Sequence, residues 1–151
     1  MLQRIQTVYL FLAFIATIVC LSMPVGFLTP QGMGGDTLMY NLCLIEPAEG
    51  ADFSVWPLFA LLIVTCPICL VTIFAYSNRM FQSKLCMVCI LLCILWLGGY
   101  AYYGYGIPHE GATFRIAFPA CLPLINIILY ALARRGIISD EKLVRSENRI
   151  R

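Results

Sequence analysis

Five cysteines in the middle of the chain have spacings that suit chemistry at sulfur. Cys66 and Cys69 enclose a Pro-Ile pair, which is the spacing of a thiol–disulfide exchange motif. Cys86, Cys89 and Cys93 recur at helical intervals and would share one face of a helix. Thiolates gathered in this way can exchange disulfides or bind a soft metal ion. One hypothesis for this sequence is therefore a redox protein that uses these five cysteines.

The same cysteines also suit a structural role, and this interpretation is the one we favour. Cysteine packs as a small apolar residue, and a thiol in apolar surroundings stays protonated and inert. The apolar segments around the cysteines contain no histidine or carboxylate that would complete a metal site. We therefore expect no metal, no cofactor and no catalytic residue.

The elements that must position these residues are four long apolar segments. The chain has 151 residues, of which 61% are hydrophobic and 12% charged, against about 25% charged in soluble domains. This composition excludes a soluble enzyme and a nucleic-acid-binding protein. Segments of about 8–27, 55–76, 85–103 and 116–133 are long enough to cross the hydrocarbon layer, and none contains Asp, Glu, Lys or Arg. The sequence predicts an all-α membrane protein, with a four-transmembrane-helix bundle over residues 1–136.

The distribution of charge predicts the orientation of these spans. Of the ten Lys and Arg residues, all but Arg115 fall before span one, between spans two and three, or after span four. Short loops rich in Lys and Arg stay in the cytoplasm, so we expect both termini to be cytoplasmic. The longer outer loop, residues 28–54, contains a glycine-rich turn followed by an apolar stretch with strand tendency, which favours a small hairpin.

Two further sets of residues bear on function. Six aromatic residues fall towards the outer ends of the spans and resemble an interfacial belt, which could instead line a quinone or lipid pocket: Trp56, Trp96, Tyr100, Tyr102, Tyr103 and Tyr105. Pro67, Pro119 and Pro123 fall inside spans, where proline kinks a helix and frees carbonyls, as in transporters. Asn126 in span four is expected to bond a neighbouring helix.

The tail, residues 137–151, is predicted to form a short basic cytoplasmic helix. Gly136 would end span four, and Ser139 would cap a new helix with Asp140 and Glu141 in its first turn. We expect the tail to contact lipid or a partner through Lys142, Leu143, Val144, Arg145, Arg149 and Arg151. The alternative is a solvated segment whose cations only fix topology.

The two ends of the chain resemble those of a known family. The opening MLQRIQTVYL and the closing LARRGII, continued by DEKLVRS, are similar to the ends of an uncharacterised family of small four-helix bacterial membrane proteins, classed as a domain of unknown function. The resemblance implies four helices and a bacterial inner-membrane location. It implies no activity and no catalytic residue.

These features favour a non-catalytic accessory or scaffold subunit of a membrane complex. Its partners would be the lipid bilayer and either further copies of the chain or a larger membrane complex, with no nucleic acid. A membrane thiol or quinone redox protein and a small oligomeric transporter are the alternatives. Replacing Cys66 and Cys69 with serine would separate the redox hypothesis from the scaffold.

Overall fold

A computed structural model of the chain describes residues 2–30, 35–47, 50–75, 78–106 and 111–150. Its four long helices are α1 (Leu2–Ser22), α2 (Trp56–Phe74), α3 (Arg79–Ala101) and α4 (Leu122–Ile150). All four are long and apolar enough to cross a membrane, by length and composition. At 1.5 Å per residue, α2 is about 28 Å long and α4 about 44 Å. The prediction of four such helices is confirmed.

The fold is not all-α, because five short strands also form an antiparallel sheet. The strands are β1 (Gly26–Pro30), β2 (Thr37–Met39), β3 (Leu44–Glu46), β4 (Gly50–Asp52) and β5 (Ala112–Ile116), in the order β4-β3-β2-β1-β5. The expected hairpin of the 28–54 loop is therefore part of a larger sheet. β5, from the loop after α3, joins it by pairing along the whole of β1, from Gly26 opposite Ile116 to Pro30 opposite Ala112.

The sheet also corrects the predicted ends of two spans. Phe27, the expected end of span one, lies in β1, and Ile116, the expected start of span four, lies in β5. Hydropathy alone cannot separate a helix from an apolar strand that continues it. Pro119 lies in a single 3-10 turn, Phe118–Cys121, and Pro123 lies in the first turn of α4. Proline is compatible with a helix start, so Pro119 precedes α4, Pro123 lies in its first turn, and neither kinks the helix.

The connectivity places all five strands at one end of the helices. The first four strands link the end of α1 to the start of α2, and β5 links the end of α3 to the start of α4. We call this the sheet end, and we call the opposite end, where α1 begins and α4 ends, the terminal end. Between them, α4 packs against α1 and α3, and α2 packs against the same two helices.

The last helix is continuous where the sequence predicted a break. Gly136 and Ser139 lie inside α4, which runs unbroken to Ile150, so the expected end of one helix and start of another are both wrong. Tertiary packing outweighs the cap signals, because Ile137 and Asp140 are buried on the face of α4 that meets the rest of the protein. The expected basic tail helix is the last part of α4.

Candidate functional site

The thiols expected to converge do so in the terminal half of the interior. The buried face of α3 carries Cys86, Cys89 and Cys93, and Cys69 of α2 packs with them in one core. We call these four residues the thiol cluster. Cys66 is only half-buried and is not part of that core. The structure thus confirms the shared face of the α3 cysteines, but it separates Cys66 from the group that it was expected to join.

The surroundings of the thiol cluster favour packing over reaction. All eight cysteines are free thiols. The Cys69 Sγ donates a hydrogen bond to the Leu10 carbonyl, at 3.4 Å. The neighbouring Tyr130 hydroxyl is buried beside these thiols and has no nitrogen or oxygen hydrogen-bond partner among the described residues. Among the described residues, no group of three or more His, Cys, Asp and Glu side chains is arranged to hold a metal ion. A thiol needs a cationic or basic neighbour and solvent access to react, and this apolar core gives it little access.

Midway along the interior, one polar pair joins α1 to α4. The Asn126 amide nitrogen donates to the Thr17 hydroxyl at 3.0 Å, and Thr17 in turn donates to the Ala13 carbonyl at 2.8 Å. Both side chains are buried. The expectation that Asn126 bonds a neighbouring helix is therefore confirmed.

The terminal end is closed by a polar pair that sequence reasoning missed. The Gln6 amide nitrogen donates to an Asp140 carboxylate oxygen at 2.7 Å, joining the start of α1 to the later part of α4. Both side chains are buried. Gly136 leaves room for this pair, because a Cβ at that position would lie 2.9 Å from Gln6 Cγ. Gln6 lies in the opening motif and Asp140 in the closing motif that resemble the known family, and this was the only hint of their importance in the sequence. No sequence pattern predicts that the two side chains bond each other.

Beyond that pair, α4 carries the residues that were predicted to contact lipid or a partner. Leu143 and Val144 are 56% and 42% exposed, and Lys142 beside them is also exposed. A groove of about 320 Å³ runs along α4 here, with Arg135, Ile138, Ser139 and Lys142 in its lining. The other predicted contacts, Arg145 and Arg149, are described as helical backbone, and Arg151 lies outside the described residues.

The sheet end is joined to the helices by a second polar set, centred on Asn41. Its side chain is fully buried; the amide nitrogen donates to the Cys20 carbonyl at 2.6 Å, and the amide oxygen accepts from Trp96 Nε1 at 2.9 Å. The Asn41 backbone carbonyl accepts from the Phe59 amide at 3.1 Å. One residue between β2 and β3 thus contacts the end of α1, the start of α2 and the body of α3.

This arrangement corrects the predicted aromatic belt. Trp96 and Tyr100 are buried and stacked on each other, with ring centroids 5.0 Å apart. The Tyr100 hydroxyl donates to the Val25 carbonyl at 2.6 Å, next to β1. These two rings hold the sheet in place rather than face an interface. Trp56, Tyr102 and Tyr105 remain exposed, as a belt requires.

Together these features define a class: a mainly helical protein with four membrane-length helices and a small antiparallel sheet across one end. The family follows from the sequence. The model of the family described as "Domain of unknown function (DUF4293)" matches residues 2–150, and the chain belongs to that family. The resemblance seen at the two ends of the chain is thereby confirmed. No curated protein matches the sequence.

Proposed function

We propose that the protein is a multi-pass protein of the bacterial inner membrane, in which the four helices form a transmembrane bundle. The distribution of charge supports a cytoplasmic terminal end and an external sheet end. Arg79, Lys84, Arg134, Arg135 and Lys142 are at or near the terminal end. The described carboxylates of the sheet end are Asp36, Glu46 and Asp52, and Arg115 lies there as well.

Within that membrane, the function we favour is a non-catalytic accessory or scaffold subunit that binds through the terminal end. The observation that carries this proposal is the unbroken course of α4 past Gly136. At about 44 Å, the helix is about 14 Å longer than the hydrocarbon layer. The hydrogen bond between Gln6 and Asp140 joins α4 to the start of α1 just before the part that projects.

The chemistry of the projecting part fits a docking element. Leu143 and Val144 are large apolar side chains left exposed beside a lysine, and the basic groove precedes them along the same helix. Such a surface suits anionic lipid headgroups, which attract it by about 1 kcal/mol per cation, or a protein with an acidic and apolar face. The partner would be another copy of the chain or a subunit of a larger membrane complex.

The experiment is truncation after Glu141, followed by crosslinking in cells and mass spectrometry. This cut keeps Ile137 and Asp140, which the interior uses, and removes Leu143 and Val144. We expect the shortened protein to insert and fold but to lose its crosslinked partners. A full-length variant with Leu143→Ser and Val144→Ser should lose the same partners. If both variants keep every partner, the tail is a solvated segment and the proposal is wrong.

Exchanging the tail cations between Lys and Arg tests whether the tail contact depends on charge alone or on the geometry of arginine. Lipid attraction depends on charge and should barely change, whereas a bidentate arginine contact with a partner carboxylate would be lost. Retained crosslinks in the exchanged variant would indicate a contact that depends on charge and apolar surface rather than on arginine geometry. Lost crosslinks, with membrane insertion intact, would favour a protein partner.

A second candidate, a membrane thiol redox protein, is favoured by the convergence of Cys69 from α2 with the three thiols of α3. Its test is the Cys66→Ser, Cys69→Ser double variant. The matched control is Cys121→Ser, which changes an exposed thiol at the sheet end. Loss of the cellular phenotype in the double variant alone, with the fold intact, would favour redox chemistry. Equal behaviour of the two variants would favour the scaffold.

A further inference from the structure

A cavity of about 250 Å³ lies where the sheet meets the helices. The strands β1, β2, β3 and β4 each contribute a residue to its lining, which is completed by Ser54 and Val55 before α2 and by Tyr103 after α3. The cavity therefore exists only because the sheet folds back over the ends of two helices. It is far from the thiol cluster and from the tail, and neither of the functions above uses it.

The inner wall of the cavity is apolar. Leu28, Met39 and Val55 are buried side chains, and Leu44 is half-buried beside them. These side chains offer no strong hydrogen-bonding group to a polar ligand. The flexible Met39 side chain can adapt to ligands of irregular shape. At roughly 30 Å³ for a group the size of a water molecule, the volume holds about eight such groups. The wall thus fits a short hydrocarbon chain or a single ring.

The mouth of the cavity is polar and is held in place by hydrogen bonds. Asp52 is exposed, and its Oδ1 accepts from the Ser54 backbone amide at 3.1 Å. The Tyr103 hydroxyl donates to the Ser54 carbonyl at 3.2 Å. These bonds set one carboxylate beside an apolar chamber, which is the usual composition of a small-ligand site: an apolar wall with a few placed polar groups.

The charged residues of the sheet indicate the charge of the ligand that the cavity would favour. Asp52 lies on β4, one edge of the sheet, and Glu46 lies on the neighbouring β3. Arg115 lies on β5, at the opposite edge, four strands away in the sheet order. The carboxylate at the mouth therefore has no cation beside it on the described strands of its own edge, and it favours a positively charged group.

We propose that this cavity binds a small amphipathic cation, with an ammonium group at Asp52 and a short hydrocarbon body between the sheet and the helices. The ligand class is an alkylammonium or a compact aromatic amine. The site lies away from the tail, so evidence against the scaffold role would not affect this proposal, and evidence against this site would not affect the scaffold role.

The test uses the full-length protein in nanodiscs of zwitterionic lipid, with hexylammonium as the probe. Unfolding is followed with a thiol-reactive dye, because five of the eight cysteines are buried and would become reactive on unfolding: Cys20, Cys69, Cys86, Cys89 and Cys93. We expect hexylammonium to raise the melting temperature saturably. Hexanol and hexanoate, which lack the cation, should not.

Two matched pairs of variants locate the site. Asp52→Asn should weaken hexylammonium binding by about tenfold or more, whereas Asp36→Asn, at an exposed carboxylate outside the cavity lining, should not. Leu44→Phe should fill the cavity and abolish binding, whereas Ile45→Phe, on the opposite face of β3, should leave it unchanged.

Three results would overturn the proposal. The first is an equal thermal shift with hexanol or hexanoate, which would indicate partition into lipid or a site that does not select charge. The second is equal binding by the Asp52 and Asp36 variants. The third is retained binding after Leu44→Phe in a protein that still melts cooperatively, which would place the probe elsewhere.

Discussion

At the sheet end, the side chain of a fully buried asparagine, Asn41, makes hydrogen bonds to α1 and α3, whereas four of the nine described buried residues in the core of the terminal half are cysteines. The sheet end also uses Tyr100, whose hydroxyl bonds the chain just before β1. In the terminal half, the Tyr130 hydroxyl lies among thiols and has no nitrogen or oxygen hydrogen-bond partner in the described part of the chain. Both halves contain a core of buried side chains, but the polar contacts of the sheet end require more specific geometry.

The two kinds of core residue therefore have different roles: a buried amide fixes the relative position of the elements that it bonds, whereas buried thiols fill space between helices. A buried amide must meet particular donors and acceptors, so Asn41 admits one placement of the sheet over the helices. Thiols need only volume, and they tolerate several neighbours. Two buried polar contacts are described at the terminal end: the Gln6–Asp140 pair, and the bond from Gln82 Nε2 to the Thr72 carbonyl at 3.0 Å. Both join the ends of helices and do not involve the thiol cluster. The variants below test this comparison, from the largest expected effect to the smallest.

Removing the amide at the sheet end should cost the most. Asn41→Ala leaves the Trp96 N–H and the Cys20 carbonyl buried without their partner, and each unsatisfied group costs about 1–3 kcal/mol. We expect the free energy of unfolding to fall by about 2–5 kcal/mol, measured by denaturant titration in detergent. Leu42→Ala, at the exposed neighbouring position, should cost less than about 0.5 kcal/mol. A similar small loss in both variants would contradict the role given to Asn41.

Breaking the terminal pair should have a smaller effect. Asp140→Ala leaves the buried Gln6 amide without its acceptor, so we expect a loss of about 1–3 kcal/mol in the free energy of unfolding. Asp140→Asn keeps an acceptor oxygen at the same place and should recover most of that loss. If the alanine and asparagine variants are equally stable, the hydrogen bond does not hold α4.

Shortening one thiol should cost less again. Cys89→Ala removes one sulfur from an apolar core that can relax around it, and we expect about 1 kcal/mol of destabilisation by the same titration. In the folded protein, the thiol cluster should resist maleimide labelling while the exposed Cys121 reacts. Rapid labelling of the cluster in the folded state would show that these thiols are accessible, and would strengthen the redox alternative.

The smallest effects distinguish two helical glycines. A Cβ at Gly98 meets nothing within 4 Å, so Gly98→Ala should stabilise the protein by up to about 1 kcal/mol. At Gly136 the same change pushes against Gln6, and we expect the gain to be lost or reversed. Equal gains at both glycines would indicate that Gln6 is free to move.

The sequence predicts part of this structure for a clear physical reason. The helices can be predicted because the length and apolar composition of each segment indicate a membrane-length helix without any long-range contact. The shared face of Cys86, Cys89 and Cys93 follows from helical spacing alone. The sheet was predicted only as a hairpin, because the pairing of β1 with β5 joins residues far apart in sequence. For the same reason, no local pattern identifies Trp96 as the partner of Asn41 or Gln6 as that of Asp140.

The continuous α4 shows that local sequence signals can also be overridden by tertiary packing. Gly136 and Ser139 carry local signals for a helix end and a helix start, and both are overridden by the burial of Ile137 and Asp140. The cavity at the sheet end is beyond sequence reasoning as well, since its lining comes from four strands and the flanks of two helices. Asp52 reads in the sequence as one outer-loop carboxylate among several.

The central claim is that the two ends of the helices face opposite sides of the membrane, with the sheet outside and both termini inside. Paired alkaline phosphatase and green fluorescent protein fusions at Gly50, Asn78 and the C-terminus test it most directly. Gly50 suits a junction because it is exposed, on an edge strand and has a positive φ of 92°. We expect phosphatase activity only at Gly50, and fluorescence at Asn78 and at the C-terminus. Fluorescence at Gly50 with phosphatase activity at Asn78 would contradict the orientation and the docking role proposed for the tail.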